Sequence, residues 1–223
     1  MCGRYALYLH ERELEDAFHI AVKAGDLRVD PSWNVAPMQT APIVTASKDD
    51  GALTLRPARW GLVPPWAKDD KVGARMINAR AETVAEKPSF RAAFKRGRCL
   101  VPASGYYEWK PLERGKQPYF IRDASSAPLA FAGLWESWGS HEKPLVTFSV
   151  ITRAARGSLA DIHDREPVML NDAARDAWLA AEAGPDELHG VLAAGGPECS
   201  AHPVGSEVGN VRNNQAGLIE PLA

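Results

Sequence analysis

Residues 98–109, RCLVPASGYYEW, decide how the chain folds. The run is short, aromatic and β-branched, with Pro, Ser and Gly as its only punctuation, and that is the composition of extended chain. Three more runs of the same kind follow it: QPYFIRD at 117–123, LAFAGLWESW at 129–138 and LVTFSVITR at 145–153. Upstream, APIVTAS at 41–47 and ALTLRPARWGLV at 52–63 read as two strands of a hairpin turning around Lys48 to Gly51. So many short strands in succession predict a mainly antiparallel sheet that closes into a barrel-like core.

Helices flank these strands. ERELEDAFHIAVKA at 11–24 places Leu14, Ala17, Phe18 and Ala21 at helical spacing, with Gly25 as a stop. KPSFRAAFKRG at 87–97 has Pro88 at a first helical position and Phe90 and Phe94 on one face. NDAARDAWLAAE at 171–182 begins with Asn171 as N-cap and turns Ala174, Ala177 and Trp178 inward. From Gly184 the chain reads as irregular until VGNVRN at 208–213. No linker or repeat divides the 223 residues, so the expected architecture is one α+β domain, 1–223.

Composition narrows the classes of function. No apolar run approaches the roughly 20 residues that span a bilayer, and no apolar segment with a cleavage site follows Arg4, which points to the cytoplasm. The three cysteines, Cys2, Cys99 and Cys199, are odd in number, far apart and unmatched by histidines at zinc spacing. Neither a disulfide framework nor a metal is indicated, and no cofactor is called for. Net charge is -2, but residues 56–98 hold eleven Lys/Arg against four Asp/Glu, while the rest of the chain holds 15 against 24. Such a basic segment is either a solvated face or an anion-binding surface.

Four segments set reactive side chains among apolar or turn residues: MCGRY, INARAET, SGYYEW and DIHDREP. Glu108 stands between Tyr107 and Trp109, where desolvation would raise its pKa, unless strand alternation points it to solvent. His163 leads from a loop into PVML and is either a structural hydrogen-bonder or a proton-transfer group. Asn78 and Arg80 offer an amide and a guanidinium from one loop, for a turn and an ion pair or for phosphate. Trp66, stiffened by two prolines, is a core residue or an exposed stacking platform.

Cys2 poses a different question, because chain ends are usually frayed. Methionine aminopeptidases remove Met1 when a small residue such as Cys2 follows. The product carries an amine of pKa near 7.7–8.0 and a thiol on one residue. The amine attacks an aldehyde to give an imine, and the thiol closes on the imine carbon as a thiazolidine, an intramolecular step with effective molarity on the order of 10⁵ M or more. The same atoms also suit an N-terminal-nucleophile amidohydrolase.

Taken together, MCGRY, WNVAP at 33–37, RWGLVPPW at 59–66, NARAET at 78–83, CLVPASGYYEW at 99–109, IHDREPV at 162–168 and VGNVRN at 208–213 closely resemble the SOS response-associated peptidase (SRAP) family. These are abasic-site-processing proteins that crosslink themselves to DNA. The resemblance implies a mainly β fold, a basic groove for single-stranded DNA, and a thiazolidine between the processed Cys2 and the aldehyde of an abasic site. By motif, Cys2 is the nucleophile, Asn78 positions its amine, Glu108 transfers protons and assists removal of residues ahead of the cysteine, and His163 promotes opening of the abasic sugar. Arg4, Arg80 and Arg165 fall where the DNA backbone is contacted, Trp66 where a base is stacked, and Lys87 near a phosphate-contacting position. Asn34 and Thr152 fall where the pocket is lined. A monomer suffices for such a reaction. The sequence departs from familiar members at Glu166 and in VITRAARGSL. Two rival readings are a peptidase acting in trans through Cys2 and Glu108, and a non-covalent reader of modified or single-stranded DNA.

Overall fold

The computed structural model describes residues 2–24, 27–47, 49–140 and 142–222. Met1, the stop expected at Gly25, Lys48 of the hairpin turn and His141 lie outside the described residues. In chain order the elements are β1 (Tyr5–Leu7), α1 (Glu11–Phe18), β2 (Val22–Lys23), β3 (Ser32–Val35), β4 (Thr40–Ala46), β5 (Leu53–Trp60) and β6 (Asn78–Arg80). They continue with α2 (Arg91–Arg96), β7 (Arg98–Ala103), β8 (Gly105–Pro111), β9 (Lys116–Asp123), β10 (Leu129–Trp138), β11 (Leu145–Ala154) and β12 (Arg165–Pro167). The chain ends with α3 (Asp172–Leu179), α4 (Pro185–Ala193) and β13 (Cys199–Pro203).

The larger sheet runs β12-β11-β10-β7-β4-β5-β2, and β11 also pairs with β5, Phe148 opposite Trp60. That extra pairing closes β5, β4, β7, β10 and β11 into a five-stranded barrel. Neighbours in the ring are antiparallel except at the β11–β5 closure, which is parallel. Trp60, Phe148, Phe131, Tyr5 and Tyr106 fill the core, with Trp60 and Phe148 stacked at 6.2 Å. A second sheet, β13-β9-β8-β1-β3, packs beside the barrel with its own smaller apolar cluster of Ala6, Tyr107, Phe120, Val204, Val208 and Leu218. The fold is the expected α+β, mainly antiparallel barrel with flanking helices.

The opening stretch turns out to be two strands. The chain leaves the barrel at Ala103 and enters the second sheet at Gly105, where any Cβ would sit 2.3 Å from the Phe120 ring. Two helices are shorter than their patterns suggested. His19 takes φ 50°, a left-handed conformation that ends α1, and the next residues join β5 as β2. Lys87–Phe90 form a turn instead of the first helical residues, so α2 starts at Arg91, although Phe90 and Phe94 are both buried as expected. Asn171 does cap α3, its Oδ1 accepting from Ala174 N at 3.0 Å. The tail from Gly184 is more regular than expected, with α4 starting at Pro185 and β13 pairing antiparallel with β9.

Candidate functional site

The start of the chain is held between the two sheets. β1 pairs with both β3 and β8, Tyr5 facing Val35 on one side and Tyr106 on the other. Cys2 is therefore fully buried, and the Asn78 amide donates to its carbonyl at 2.7 Å. β6 puts Asn78 there by pairing with β11 at Val150. The Oδ1 of Asn78 is buried with no hydrogen-bond partner among the described residues, an acceptor aimed into this same space. Burial pushes the Cys2 thiol far above its ordinary value, and the neighbouring Glu108 pushes it further, so the group is a thiol and not a thiolate.

Glu108 faces inward because neither side of β8 meets solvent over Gly105–Glu108. Alternation puts Tyr106 on the barrel side and Tyr107 against the second cluster, and Glu108 shares the side of Tyr106. Its side chain is 3% exposed, and burial raises its pKa to about 7, with the charge of Asp164 acting in the same direction. Near neutral pH it is thus able both to give and to take a proton. His163 brings its Nε2 to 3.8 Å from Glu108 Oε2. Its Nδ1 accepts from the Arg165 backbone N–H at 3.0 Å, so a neutral ring carries its proton on Nε2, facing Glu108. Burial lowers the pKa of this ring, which favours that neutral form; a protonated ring would instead donate from Nδ1 to Asp164 Oδ1 at 2.9 Å.

The expected DNA contacts divide into exposed and internal groups. Trp66 is 60% exposed on the loop after β5, and Trp138 Nε1 steadies that loop by donating to Ala67 O at 2.9 Å. Arg80 and Lys87 are exposed. Arg165 is placed at the same edge, but its fork is already filled: both Nη groups reach Glu82, at 2.6 and 3.0 Å, and Nη2 also donates to Thr152 O at 2.6 Å. Glu82 is the residue that sequence reasoning missed.

Three of the expected contact residues make internal hydrogen bonds. Asn34 is buried, with Oδ1 accepting from Arg4 Nη1 at 2.9 Å and Nδ2 donating to the carbonyls of Val208, Asn210 and Asn213. It fastens the VGNVRN segment. Arg4 is half-buried and also donates to Val208 O at 2.8 Å, so it straps the chain start to that segment. Thr152 is fully buried and supports Arg165 from behind. The basic segment is likewise not one surface. Arg59 pairs with Asp70 at 2.7 Å, and Arg98 is buried with donors to four backbone carbonyls. Glu166 pairs internally with Arg153 and Arg156, at 2.8 and 3.1 Å. Among the described residues no group of three or more His, Cys, Asp or Glu is placed to hold a metal ion, and no helix is long and apolar enough to cross a membrane.

A barrel that buries a thiol beside a carboxyl group and an imidazole defines a class of cysteine-centred sites. Comparison of the whole chain is more specific: the family described as SOS response associated peptidase (SRAP) matches residues 1–211, and the chain belongs to that family. Among its relatives, "Abasic site processing protein YoqW" of Bacillus subtilis is 42% identical over 224 residues, covering 99% of both chains. "Abasic site processing protein YedK" of Escherichia coli is 34% identical over 231 residues, covering 100% of both. A crystal structure of a protein from Bacteroides thetaiotaomicron superposes over 100% of both chains with a TM-score of 0.86 at 24% identity, a likeness of fold.

Proposed function

We propose that this protein processes abasic sites in single-stranded DNA by capturing them covalently, once Met1 has been removed, through a thiazolidine on Cys2. The observation that carries the reading is the convergence of Asn78, Glu108 and His163 on a buried residue one position from the chain start. Relatives named as abasic-site-processing proteins over the full length of the chain support the substrate.

The chemistry follows from the groups present. An abasic sugar reacts only in its ring-opened aldehyde form, and opening it takes the proton from the anomeric hydroxyl and delivers one to the ring oxygen, a transfer that His163 and the neighbouring Glu108 would mediate. The free amine of Cys2 adds to the aldehyde carbon, with the Asn78 Oδ1 acceptor orienting its N–H. The resulting carbinolamine loses its hydroxyl as water, taking a proton from protonated Glu108, and an iminium ion remains whose nitrogen keeps its hydrogen. The Cys2 thiol is held protonated by burial, so it needs a base at the moment of attack. Glu108, by then ionised, accepts that proton as the C–S bond forms on the iminium carbon, and the C=N electron pair returns to the nitrogen, which keeps its hydrogen. One C–N and one C–S bond are made and one water leaves. Trp66, Arg80, Lys87 and Arg165 would hold the strand, and a phosphate reaching Arg165 would have to displace Glu82. Glu108 would likewise serve as base for autoproteolytic removal of residues ahead of Cys2.

The test is incubation with a uracil-glycosylase-treated single-stranded oligonucleotide. A heat-stable protein–DNA adduct is expected with the native chain and none with Cys2→Ala. Turnover of a peptide panel without DNA, together with no adduct, would favour the peptidase reading instead.

A further inference from the structure

The cations of the basic segment that the site does not use gather elsewhere. Around the C-terminal end of α2 opens a cavity of about 450 Å³ lined by Arg56, Lys95, Arg96 and Trp135, with Ser47 and Glu182 at its rim. Two further hollows, of about 300 and 350 Å³, adjoin it, and Arg96 borders all three. The first of these carries Glu136 and the second Arg91, so the groove holds four unburied cationic side chains against two carboxylates.

The groove is built, not merely decorated. Arg56 lies 4.8 Å over the Trp135 ring, and its Nε donates to Thr45 Oγ1 at 3.1 Å. Those contacts fix the plane of the guanidinium while neither Nη group finds an acceptor among the described residues. A planar fork oriented this way is matched to two oxygens of one phosphate. Arg98, buried beneath, ties the last carbonyls of α2 to those of α3 at Trp178 and Ala180, and so holds Lys95 and Arg96 at the lip.

The groove is separate from the Cys2 site. Trp135 pairs with Phe148 of β11, whereas Arg165 pairs with Ala154 of that strand and Arg80 with Thr152, four residues along it from Phe148. At about 3.3 Å per residue that is roughly 13 Å before any sideways offset. We propose that this groove is a second phosphate-binding surface, which takes the sugar-phosphate backbone of a nucleic-acid strand after it has left the Cys2 cleft. The inference rests on the reading of the protein as a binder of single-stranded DNA. An extended polyanion fits three adjoining hollows with an excess of cations better than a single small anion does.

The experiment uses the full chain with Cys2→Ala, so that binding is non-covalent, and undamaged single-stranded DNA of two lengths: one too short to leave the cleft, one long enough to reach α2. Binding is titrated by fluorescence anisotropy over a range of salt, with and without Lys95→Glu and Arg96→Glu together; a Lys95→Gln, Arg96→Gln pair controls for helix destabilisation. The proposal expects the long strand to bind about 10-fold more weakly to the reversed variant, with a salt slope shallower by about 1.4, as two lost phosphate contacts on a single strand give. The short strand should bind both proteins alike. An unchanged slope for the long strand, or an equal loss for both lengths, overturns it. So does competition by an acidic peptide as effective as that by DNA. Crosslinking with Cys2 intact is scored separately; its failure would remove the thiazolidine reading and leave the slope comparison standing.

Discussion

Cys2 and Cys99 are equally buried, and burial raises the pKa of both thiols far above the ordinary value, yet their surroundings could hardly differ more. Cys99 sits in β7, with its sulfur packed where a Cβ on Gly133 would come within 2.8 Å. Its neighbours are the apolar core, and the one charge that reaches it, from Arg56, only moderates its pKa. Cys2 instead meets Asn78, and Glu108 reaches it electrostatically. Burial alone makes an inert thiol. What separates the two is the buried carboxyl group of Glu108 next to Cys2 and the Asn78 amide on its carbonyl.

The largest effect should come from removing that difference. Cys2→Ala is expected to abolish the adduct entirely, whereas Cys99→Ala should keep it and cost about 1 kcal/mol of stability through the small cavity it leaves. Gel mobility after heating and a thermal melt read the two outcomes. If Cys99→Ala lost the adduct while remaining folded, the contrast would fail.

Glu108→Gln sharpens it. Crosslinking should slow by about 10²–10³-fold, and the inflection near pH 7 in the native rate profile should vanish. The same substitution has a stability signature. The folded-state pKa of Glu108 is raised from 4.5 to about 7, so the fold favours the protonated form. Its contribution is fully present below about pH 4.5 and is lost as pH rises to about 7. Glu108→Gln should therefore flatten the melting temperature across that window and lie above the native protein at pH 8.

Asn78→Ala should slow capture by about 10-fold, through lost orientation of Cys2, with little change in undamaged-DNA affinity. Glu82→Gln is the smallest. Freed of a competing carboxylate, Arg165 should bind DNA phosphate a few-fold more tightly in low salt, as anisotropy would show; a weaker complex would mean that Glu82 only positions Arg165.

The barrel was legible because its strands are apolar on both faces, as RCLVPA and LVTFSVITR are. Elements carried by tertiary context were not. β1, β3 and β6 are three or four residues long and exist through their partners, and β13 is a partly exposed edge strand without an apolar alternation. α4 had its signal, Gly184 followed by Pro185, hidden in a Gly/Pro-rich tail. The switch of sheets at Ser104 needed the Phe120 ring, which no local pattern reveals. In the site, the composition around Glu108 told of desolvation, but its direction depended on a second apolar cluster covering the other face of β8. Arg4 and Asn34 were picked out by motif and turned out to bind the chain's own C-terminal segment, because a guanidinium and an amide serve carbonyls as readily as phosphates. The bond between Arg165 and Glu82 spans 83 residues and has no sequence signature.

The central claim is that Cys2 becomes the chain's first residue and closes a ring on an abasic aldehyde. Intact mass spectrometry after incubation with abasic single-stranded DNA tests both halves at once. The account predicts loss of the Met1 mass followed by a gain of the oligonucleotide mass less one water, stable to heat. A mass that retains Met1 yet gains the DNA, or a processed chain that gains nothing, would contradict it.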